Sequence, residues 1–194
     1  MVPTMESPAA SYFRVMVSST GGFSACVAVV GPGEGASSEA CADAKAVGQL
    51  LAAHGWVILT GGRAAGVMAA AADGASAAGG FVVGVLPGFD RRDAAPGLTV
   101  ALPTGLGEAR NAVLVTAADA VIGCGLNPGT VSEIALALKA GKPTVLVRPA
   151  ASAVAFFAAL APDARISAAS TPEEAVAWVE AQLPGAVRRS RAGQ

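Results

Sequence analysis

Histidine and cysteine are scarce in this sequence, and their scarcity limits the metal chemistry that its side chains can support. The 194 residues include one histidine, His54, and three cysteines, Cys26, Cys41 and Cys124, which are widely spaced and form no CxxC pair. Zinc and iron sites built from protein side chains need several imidazole or thiolate ligands, so we expect no such site. The odd number of cysteines also gives no disulfide framework. We expect His54, followed by glycine, to end a helix.

Charged residues are also few, at 14% of the chain. The chain has thirteen basic and fourteen acidic residues, so it lacks the excess of positive charge that is typical of nucleic-acid-binding proteins. The basic cluster Arg188, Arg189 and Arg191 is interpreted as a solvated tail. Because the chain has too few charged residues to cover the solvent-facing side of every helix, we expect some helices to be buried against another subunit in a homo-oligomer. The nearly charge-free helices predicted at 65–78 and 130–140 are expected to be partly buried in such contacts.

Long hydrophobic runs and targeting signals are missing as well. The uncharged run 149–162 is short and bounded by prolines, whereas a membrane span needs about 20 apolar residues. The first residues lack the basic start and apolar core of a secretory signal. We therefore expect a cytoplasmic protein with no membrane partner. Residues 1–22 are expected to be a flexible extension, or alternatively a targeting remnant, followed by a single domain at 23–184 and a tail at 185–194.

Short apolar runs rich in β-branched residues alternate with alanine-rich runs from about residue 25 onward. The predicted strands are 26–30, 56–60, 81–86, 98–102, 120–124 and 143–147. The predicted helices are 38–54, 65–78, 108–118, 130–140, 150–160 and one that follows Thr171, where Pro172 and Glu174 complete a capping box. Strands buried on both faces and separated by helices are typical of βαβ crossovers. The sequence thus predicts an α/β fold, a Rossmann-like three-layer sandwich with a parallel sheet flanked by helices.

Glycine-rich or polar segments follow four of these strands, and a parallel sheet brings such segments to one edge. Glycines let backbone amides approach an anion, and the free amides of a helix start hold phosphate. We therefore predict that a phosphate-bearing small molecule binds there. The candidate binding residues are Gly31, Gly33, Gly35, Gly61, Gly62, Arg63, Arg110, Asn111, Asn127, Gly129, Thr130 and Glu133.

Several of these residues also have a purely structural interpretation. The first glycine loop fits a tight turn as well as a phosphate loop, because Pro32 removes a donor. Arg63 fits a solvated surface arginine. Thr130 and Glu133 have the spacing of a capping box, which would explain the pair without any ligand. Arg110 falls in the first turn of a helix, where the dipole favours anions, so we infer a ligand or a partner carboxylate beside it.

Five motifs carry a family resemblance. They are Val29-Val30-Gly31, Thr60-Gly61-Gly62 with Gly66-Val67-Met68, Leu86-Pro87-Gly88, Gly107-Glu108-Ala109-Arg110-Asn111 and Gly129-Thr130-x-x-Glu133. In this order they resemble the nucleotide-binding family that includes the molybdenum cofactor carrier proteins. The Lonely-guy phosphoribohydrolases, long misnamed lysine decarboxylases, form the other relevant branch. The resemblance runs from about residue 25 to residue 147.

Two departures from the phosphoribohydrolase sequence pattern indicate which branch of the family this sequence resembles more. The phosphoribohydrolases carry a PGGxGTxxE pattern, but Leu126 and Asn127 stand here where glycine is expected. In that branch lysine follows the arginine, whereas Asn111 follows Arg110 here. Both departures resemble the carrier branch. The resemblance therefore implies a non-enzymatic carrier that binds, protects and hands over phosphorylated molybdopterin, whose own dithiolene holds the metal.

The resemblance also implies roles and partners. Gly129 and Thr130 would bind phosphate, Arg110 would neutralise charge, and the glycine loops would line the cleft. The recipient would be a molybdoenzyme, and the carrier a dimer or a tetramer. The alternative is a cytokinin-activating type of nucleoside 5′-monophosphate phosphoribohydrolase, in which Glu133 stabilises positive charge on the ribose and Arg110 orients the substrate. A non-catalytic nucleotide sensor is a third possibility.

Overall fold

Apolar runs and alanine-rich runs alternate as strands and helices throughout the computed structural model, which describes residues 25–183. The strands are β1 Cys26–Val30, β2 Val57–Thr60, β3 Phe81–Leu86, β4 Val100–Pro103, β5 Ala120–Cys124, β6 Thr144–Val147 and β7 Ile166–Ala169. The helices are α1 Ser38–Ala53, α2 Gly66–Ala77, α3 Arg110–Ala117, α4 Pro128–Lys139, α5 Ala151–Leu160 and α6 Pro172–Gln182, with a 3₁₀ turn at Gly107–Ala109. The predicted extension 1–22 and tail 185–194 lie outside the described residues.

The strands form one parallel sheet in the order β4-β3-β2-β1-β5-β6-β7. After β1 the chain continues outward through β2, β3 and β4, and it then returns to the centre to pair β5 beside β1 and continue outward on the other side. The winding direction therefore reverses between β1 and β5. In open α/β sheets, ligands bind in the crevice beyond the carboxyl ends of strands at such a reversal. The predicted Rossmann-like α/β fold is confirmed.

Two apolar layers cover the sheet. Alternate residues of a strand face opposite sides, so Val27 and Val29 pack against α1, α2 and α6, whereas Ala28 and Val30 pack against α3, α4 and α5. Strand β1 is almost completely buried in this way. Burial on both faces is the physical reason why the central strands are continuous apolar runs in the sequence.

The main differences from the sequence predictions occur in three places, and other element boundaries shift by one or two residues. Strand β7 was not predicted, because its residues Ile-Ser-Ala-Ala carry little β-propensity. The predicted helix 108–118 is divided into the 3₁₀ turn and α3, which begins at Arg110. The predicted helix start at Thr130 is wrong: α4 begins at Pro128, and Asn127 is its N-cap. At α6, by contrast, Thr171 accepts a hydrogen bond from the Glu174 amide at 3.2 Å, as predicted. The Glu174 carboxylate, however, accepts from the Ser170 amide at 2.7 Å and not from the Thr171 amide that would complete the predicted box.

The contact between α1 and α2 explains why α2 consists mostly of small uncharged residues, with Asp73 as its one charged side chain. A Cβ added at Gly48 of α1 would overlap the carbonyl oxygen of Ala71, and one added at Gly74 of α2 would overlap that of Lys45. The two glycines therefore allow a close approach of the two backbones. Packing within one chain accounts for the apolar surface of α2, so the predicted burial of 65–78 in a subunit contact stays a prediction.

Two other features from the sequence have structural explanations. His54 ends α1, and its Nδ1 lies 2.9 Å from the carbonyl oxygen of Leu50. Its Nε2 lies 3.8 Å from the carboxylate of Glu180. The apolar run 149–162 contains α5, which has only 10 residues. Among residues 25–183, no helix combines the length and the apolarity needed to cross a bilayer.

Candidate ligand-binding site

A crevice of about 260 Å³ lies beyond the carboxyl ends of β1, β2 and β5. Its position matches the reversal of winding between β1 and β5, where the fold leaves room for a ligand. All but two of the predicted binding residues line it, the exceptions being Gly35 and Gly62. The lining residues are Val29, Val30, Gly31, Gly33, Glu34, Gly61, Arg63, Met68, Glu108, Arg110, Asn111, Asn127, Gly129, Thr130 and Glu133.

The glycines of the loops after β1 and β2 also have roles within the protein itself. A Cβ at Gly31 would overlap the carbonyl oxygen of Cys124 and lie 2.7 Å from the Val67 side chain. Gly62, which does not line the crevice, has φ +77° and packs against Gly84 of β3. Gly35 also has φ +77° but has open space around it, which indicates a turn. The tight-turn interpretation thus holds for part of these loops.

Arg110 and Glu133 form a buried ion pair in the crevice. Arg110 is the first residue of α3, and its Nη1 lies 3.2 Å from Oε1 of Glu133 on α4. A Cβ at Gly61 would lie 2.7 Å from that Nη1, so the missing side chain at the end of β2 makes room for the guanidinium. The Arg110 side chain is only 9% exposed, yet its Nε has no hydrogen-bond partner among residues 25–183. A buried donor without an acceptor is unusual in proteins.

The environment of Glu133 raises its pKa. Burial is the largest cause, and the nearby Glu108 carboxylate adds to it, while the Arg110 guanidinium acts in the opposite direction. The pKa of Glu133 is raised to about 7 from its usual 4.5. Both protonation states of this carboxyl are therefore populated near neutral pH.

The start of helix α4 contains a different cap from the predicted one. Oδ1 of Asn127 accepts a hydrogen bond from the Thr130 amide at 2.8 Å and another from the Thr130 hydroxyl at 2.8 Å. The capping box proposed for Thr130 and Glu133 is therefore wrong, because Glu133 pairs with Arg110 instead. Pro128 has no N–H, and the exposed Gly129 lies in the first turn of α4, where backbone amides have no acceptor within the helix.

Asn111 and Ser132 connect the starts of α3 and α4. The Ser132 hydroxyl donates to the carbonyl oxygen of Gly129 at 2.7 Å, so its oxygen accepts from Nδ2 of Asn111 at 3.3 Å. This arrangement leaves Oδ1 of Asn111 buried with no donor in residues 25–183. The crevice therefore contains both a buried donor, Nε of Arg110, and a buried acceptor that lack partners.

An ion pair lies at the mouth of the crevice. Nη2 of Arg63, after β2, lies 2.9 Å from Oε1 of Glu34, after β1. Both side chains are solvent-accessible, so the pair contributes little stability. Arg63 thus has a carboxylate partner rather than only water. The sequence analysis assigned no role to Glu34, Met68 or Glu108, although Met68 and Glu108 lie in the quoted motifs. The spacing of these residues along the chain does not indicate that they meet in one crevice.

Metal ligands are not gathered in this crevice. Within the described residues, no three His, Cys, Asp or Glu side chains converge as a metal site would require. Cys124, at the end of β5, is buried, and burial raises the pKa of its thiol to about 12, with Asp43 adding to the effect. The thiol therefore stays protonated and is a poor metal ligand.

Comparisons with known proteins place the chain in a family. The model of the SLOG cluster4 family matches residues 24–176. The chain belongs to the SLOG cluster4 family. An uncharacterized protein of Archaeoglobus fulgidus is 40% identical to it over 124 residues, which are 63% of this chain and 80% of that protein. The family resemblance predicted from the five motifs is confirmed.

Two solved structures that resemble this chain carry names that refer to the molybdenum cofactor. The molybdenum cofactor binding protein from the phototrophic bacterium Rippkaea orientalis is 40% identical, with a TM-score of 0.80, over 82% of this chain and 97% of that chain. The molybdenum cofactor carrier protein from Chlamydomonas reinhardtii is 36% identical, with a TM-score of 0.77, over 81% of this chain and 97% of that chain.

Proposed function

We propose that this protein is a molybdenum cofactor carrier, which binds phosphorylated molybdopterin with its metal, protects it and hands it to a molybdoenzyme. The observation that carries the proposal is the 40% identity to the molybdenum cofactor binding protein from Rippkaea orientalis over 97% of that chain. The proposed carrier is not an enzyme. Molybdenum is cargo in this proposal, held by the dithiolene of the ligand and not by protein side chains.

The chemistry of the crevice fits the phosphate end of such a ligand. Nε of Arg110 is a buried donor without an acceptor among residues 25–183, and Gly129 lies in the first turn of α4, where backbone amides have no acceptor within the helix. A phosphate supplies several acceptor oxygens. Oδ1 of Asn111 is an acceptor that a ligand hydroxyl or N–H satisfies. The crevice volume of about 260 Å³ lies below the range of about 300–1,000 Å³ that is usual for ligand sites. The crevice therefore accommodates the phosphate end, and the rest of the ligand extends past Arg63 and Glu108.

The raised pKa of Glu133 supports binding of an anion. When Glu133 is ionised, it already compensates the charge of Arg110 at 3.2 Å. When Glu133 is protonated, the positive charge of Arg110 is available to a phosphate. Because the pKa of Glu133 is about 7, the protein takes up a proton at this carboxyl at little free-energy cost near neutral pH.

A phosphoribohydrolase is the second candidate, and the buried pair of Arg110 and Glu133 favours it. In that mechanism the ionised Glu133 stabilises positive charge developing on the ribose, while Arg110 holds the phosphate of the nucleoside monophosphate. The pair alone does not decide between the candidates. Asn127 weighs against hydrolysis, because it caps the helix start where the resembling hydrolases carry glycine.

Co-purification tests the proposal directly. The full chain is purified from a host that makes molybdenum cofactor, and its bound small molecules are identified by mass spectrometry and by pterin fluorescence after oxidation. We expect stoichiometric pterin, transfer of the cofactor to an apo-molybdoenzyme, and no release of base from adenosine or cytokinin riboside monophosphates. Steady base release would establish the hydrolase instead. Binding of nucleoside monophosphates without turnover or pterin would indicate a nucleotide sensor.

The proposal includes three further expectations about the whole chain. We propose that it acts in the cytoplasm, that residues 23–184 form a single ligand-binding domain, and that the carrier is a dimer or a tetramer. Cell fractionation, limited proteolysis and sedimentation, respectively, test these three points.

A further inference from the structure

The protein's own side chain covers the start of helix α4. Oδ1 of Asn127 accepts from both the amide and the hydroxyl of Thr130, each at 2.8 Å. The orientation of the Asn127 amide group is determined, because an N–H donates only to the oxygen. A Cβ at Gly129 would lie 3.4 Å from this Oδ1, so the oxygen lies close above the first turn. One neutral oxygen therefore occupies donors that a phosphate oxygen would use.

Independent atoms in the same crevice point to a ligand. Nε of Arg110 is a buried donor without an acceptor, on a side chain that is 9% exposed. Oδ1 of Asn111 is a buried acceptor without a donor, on a residue that is 4% exposed. Both residues line the crevice beside Asn127 and Thr130. Leaving such groups unpaired in the folded state is unfavourable, and a ligand with an anionic acceptor and a neighbouring donor removes the penalty.

We propose that Asn127 is a displaceable cap, whose Oδ1 takes the place of a ligand oxygen until a phosphate ester binds and turns the side chain aside. This inference rests on the proposed function, since it describes how that site takes its anion. After displacement, the Thr130 amide and hydroxyl join the Gly129 amide and Arg110 around the phosphate. The exchange favours an ionised phosphate, because hydrogen bonds to an anionic oxygen are stronger than those to a neutral amide oxygen.

The displaceable cap has a consequence for selectivity. A ligand that uses the Thr130 amide and hydroxyl must first break the two hydrogen bonds between Asn127 and Thr130. A neutral hydroxyl or carbonyl offers no stronger bond in return, so it does not displace the cap. Removing the Asn127 side chain abolishes this threshold, and affinity for phosphate rises. If Asn127 instead held the ligand through Nδ2, removal of the side chain would weaken binding.

The test uses the full chain and two probes, inorganic phosphate and adenosine 5′-monophosphate, with affinity measured by calorimetry. Asn127→Gly removes the side chain but keeps a residue that is nearly as good at an N-cap, and the extended backbone at Asn127 suits glycine. We expect both probes to bind about tenfold tighter than to the unchanged protein, roughly what one hydrogen bond contributes. Asn127→Ser, which retains a capping oxygen, is expected to stay within about twofold.

Thr171→Gly is the matched control. Thr171 also caps a helix that begins with proline, but it lies on α6 and does not line the crevice. We expect both glycine variants to lower the melting temperature slightly and only Asn127→Gly to change phosphate affinity. If Asn127→Gly does not fold, Asn127→Ala takes its place with the same expectation.

The outcomes separate this inference from the proposed function. The displaceable cap is refuted if Asn127→Gly binds the probes no more tightly than the native protein does, or if no variant binds them. In that case, co-purification of pterin would still support the carrier function. Conversely, a tenfold gain for Asn127→Gly with no pterin on the purified protein supports the displaceable cap and refutes the carrier. A crystal structure with phosphate bound provides a direct check, because Oδ1 of Asn127 must have left Thr130.

Discussion

Replacement of Glu133 by glutamine tests the electrostatics of the crevice. In the folded protein, burial raises the pKa of Glu133 from 4.5 to about 7, so the folded state binds more protons than the unfolded state between these values. Stability contributed by this group is therefore present below about pH 4.5 and is lost as the pH rises through about 7. The loss amounts to about 3 kcal/mol, because one pKa unit corresponds to about 1.4 kcal/mol.

Glutamine has no charge to bury at high pH, so Glu133→Gln removes this pH dependence. The variant keeps an acceptor for Nη1 of Arg110, which lies 3.2 Å from Oε1 in the native pair. We expect the free energy of unfolding of the variant, minus that of the native protein, to increase by about 3 kcal/mol between pH 4.5 and pH 8.5, so the variant gains stability relative to the native protein. The comparison across pH does not depend on any constant effect of the substitution, including the loss of charge beside Arg110.

Urea unfolding followed by circular dichroism at several pH values measures this difference. Glu173→Gln, which changes an exposed carboxylate in the first turn of α6, is the control, and its effect on stability should vary little with pH. A difference between Glu133→Gln and the native protein that stays constant from pH 4.5 to pH 8.5 would refute the reasoning. It would mean that burial does not control the ionisation of Glu133.

Three further predictions concern function and assembly. Gly61→Ala places a Cβ 2.7 Å from Nη1 of Arg110, so phosphate affinity measured by calorimetry should fall about tenfold or more. Gly88→Ala is the control and should leave the affinity unchanged, because a Cβ at Gly88 has nothing within 4 Å. Equal phosphate affinities in the two variants would contradict the role given to Gly61. If the protein is a carrier, Glu133→Gln should still bind the cofactor. If it is a hydrolase, the same substitution should lower turnover by about 100-fold or more. Hydrolysis by the native protein that is lost in Glu133→Gln would therefore refute the carrier function. Sedimentation at micromolar concentration should give a dimer or a tetramer, and a monomer would contradict the predicted subunit contact.

Burial on both faces made the central strands predictable from the sequence. The bounds predicted for β1, β3 and β5 agree with the structure, because a strand covered by helices on both sides must be apolar at every position. The cap at Thr171 was predictable for another reason. Its partner, the amide of Glu174, lies three residues along the chain, and such local geometry is repeated at every helix start of this kind.

The crevice was predictable in position but not in its contacts. Parallel strands bring their following loops to one edge, so the sequence alone located most of the lining residues. The contacts themselves depend on the tertiary structure. Arg110 meets Glu133 across 23 residues, and Arg63 meets Glu34 across 29, because helices and loops distant in the chain converge where the winding reverses.

The start of α4 shows how tertiary structure can override a local sequence pattern. The spacing of Thr130 and Glu133 predicted a capping box with Thr130 as the N-cap, whereas the helix begins at Pro128 with Asn127 as its N-cap. The carboxylate of Glu133 is taken by Arg110, which a distant helix supplies, and the cap then comes from Asn127. Local rules determine which hydrogen bonds a segment is able to form, whereas the buried charge brought by another element determines which of them it does form.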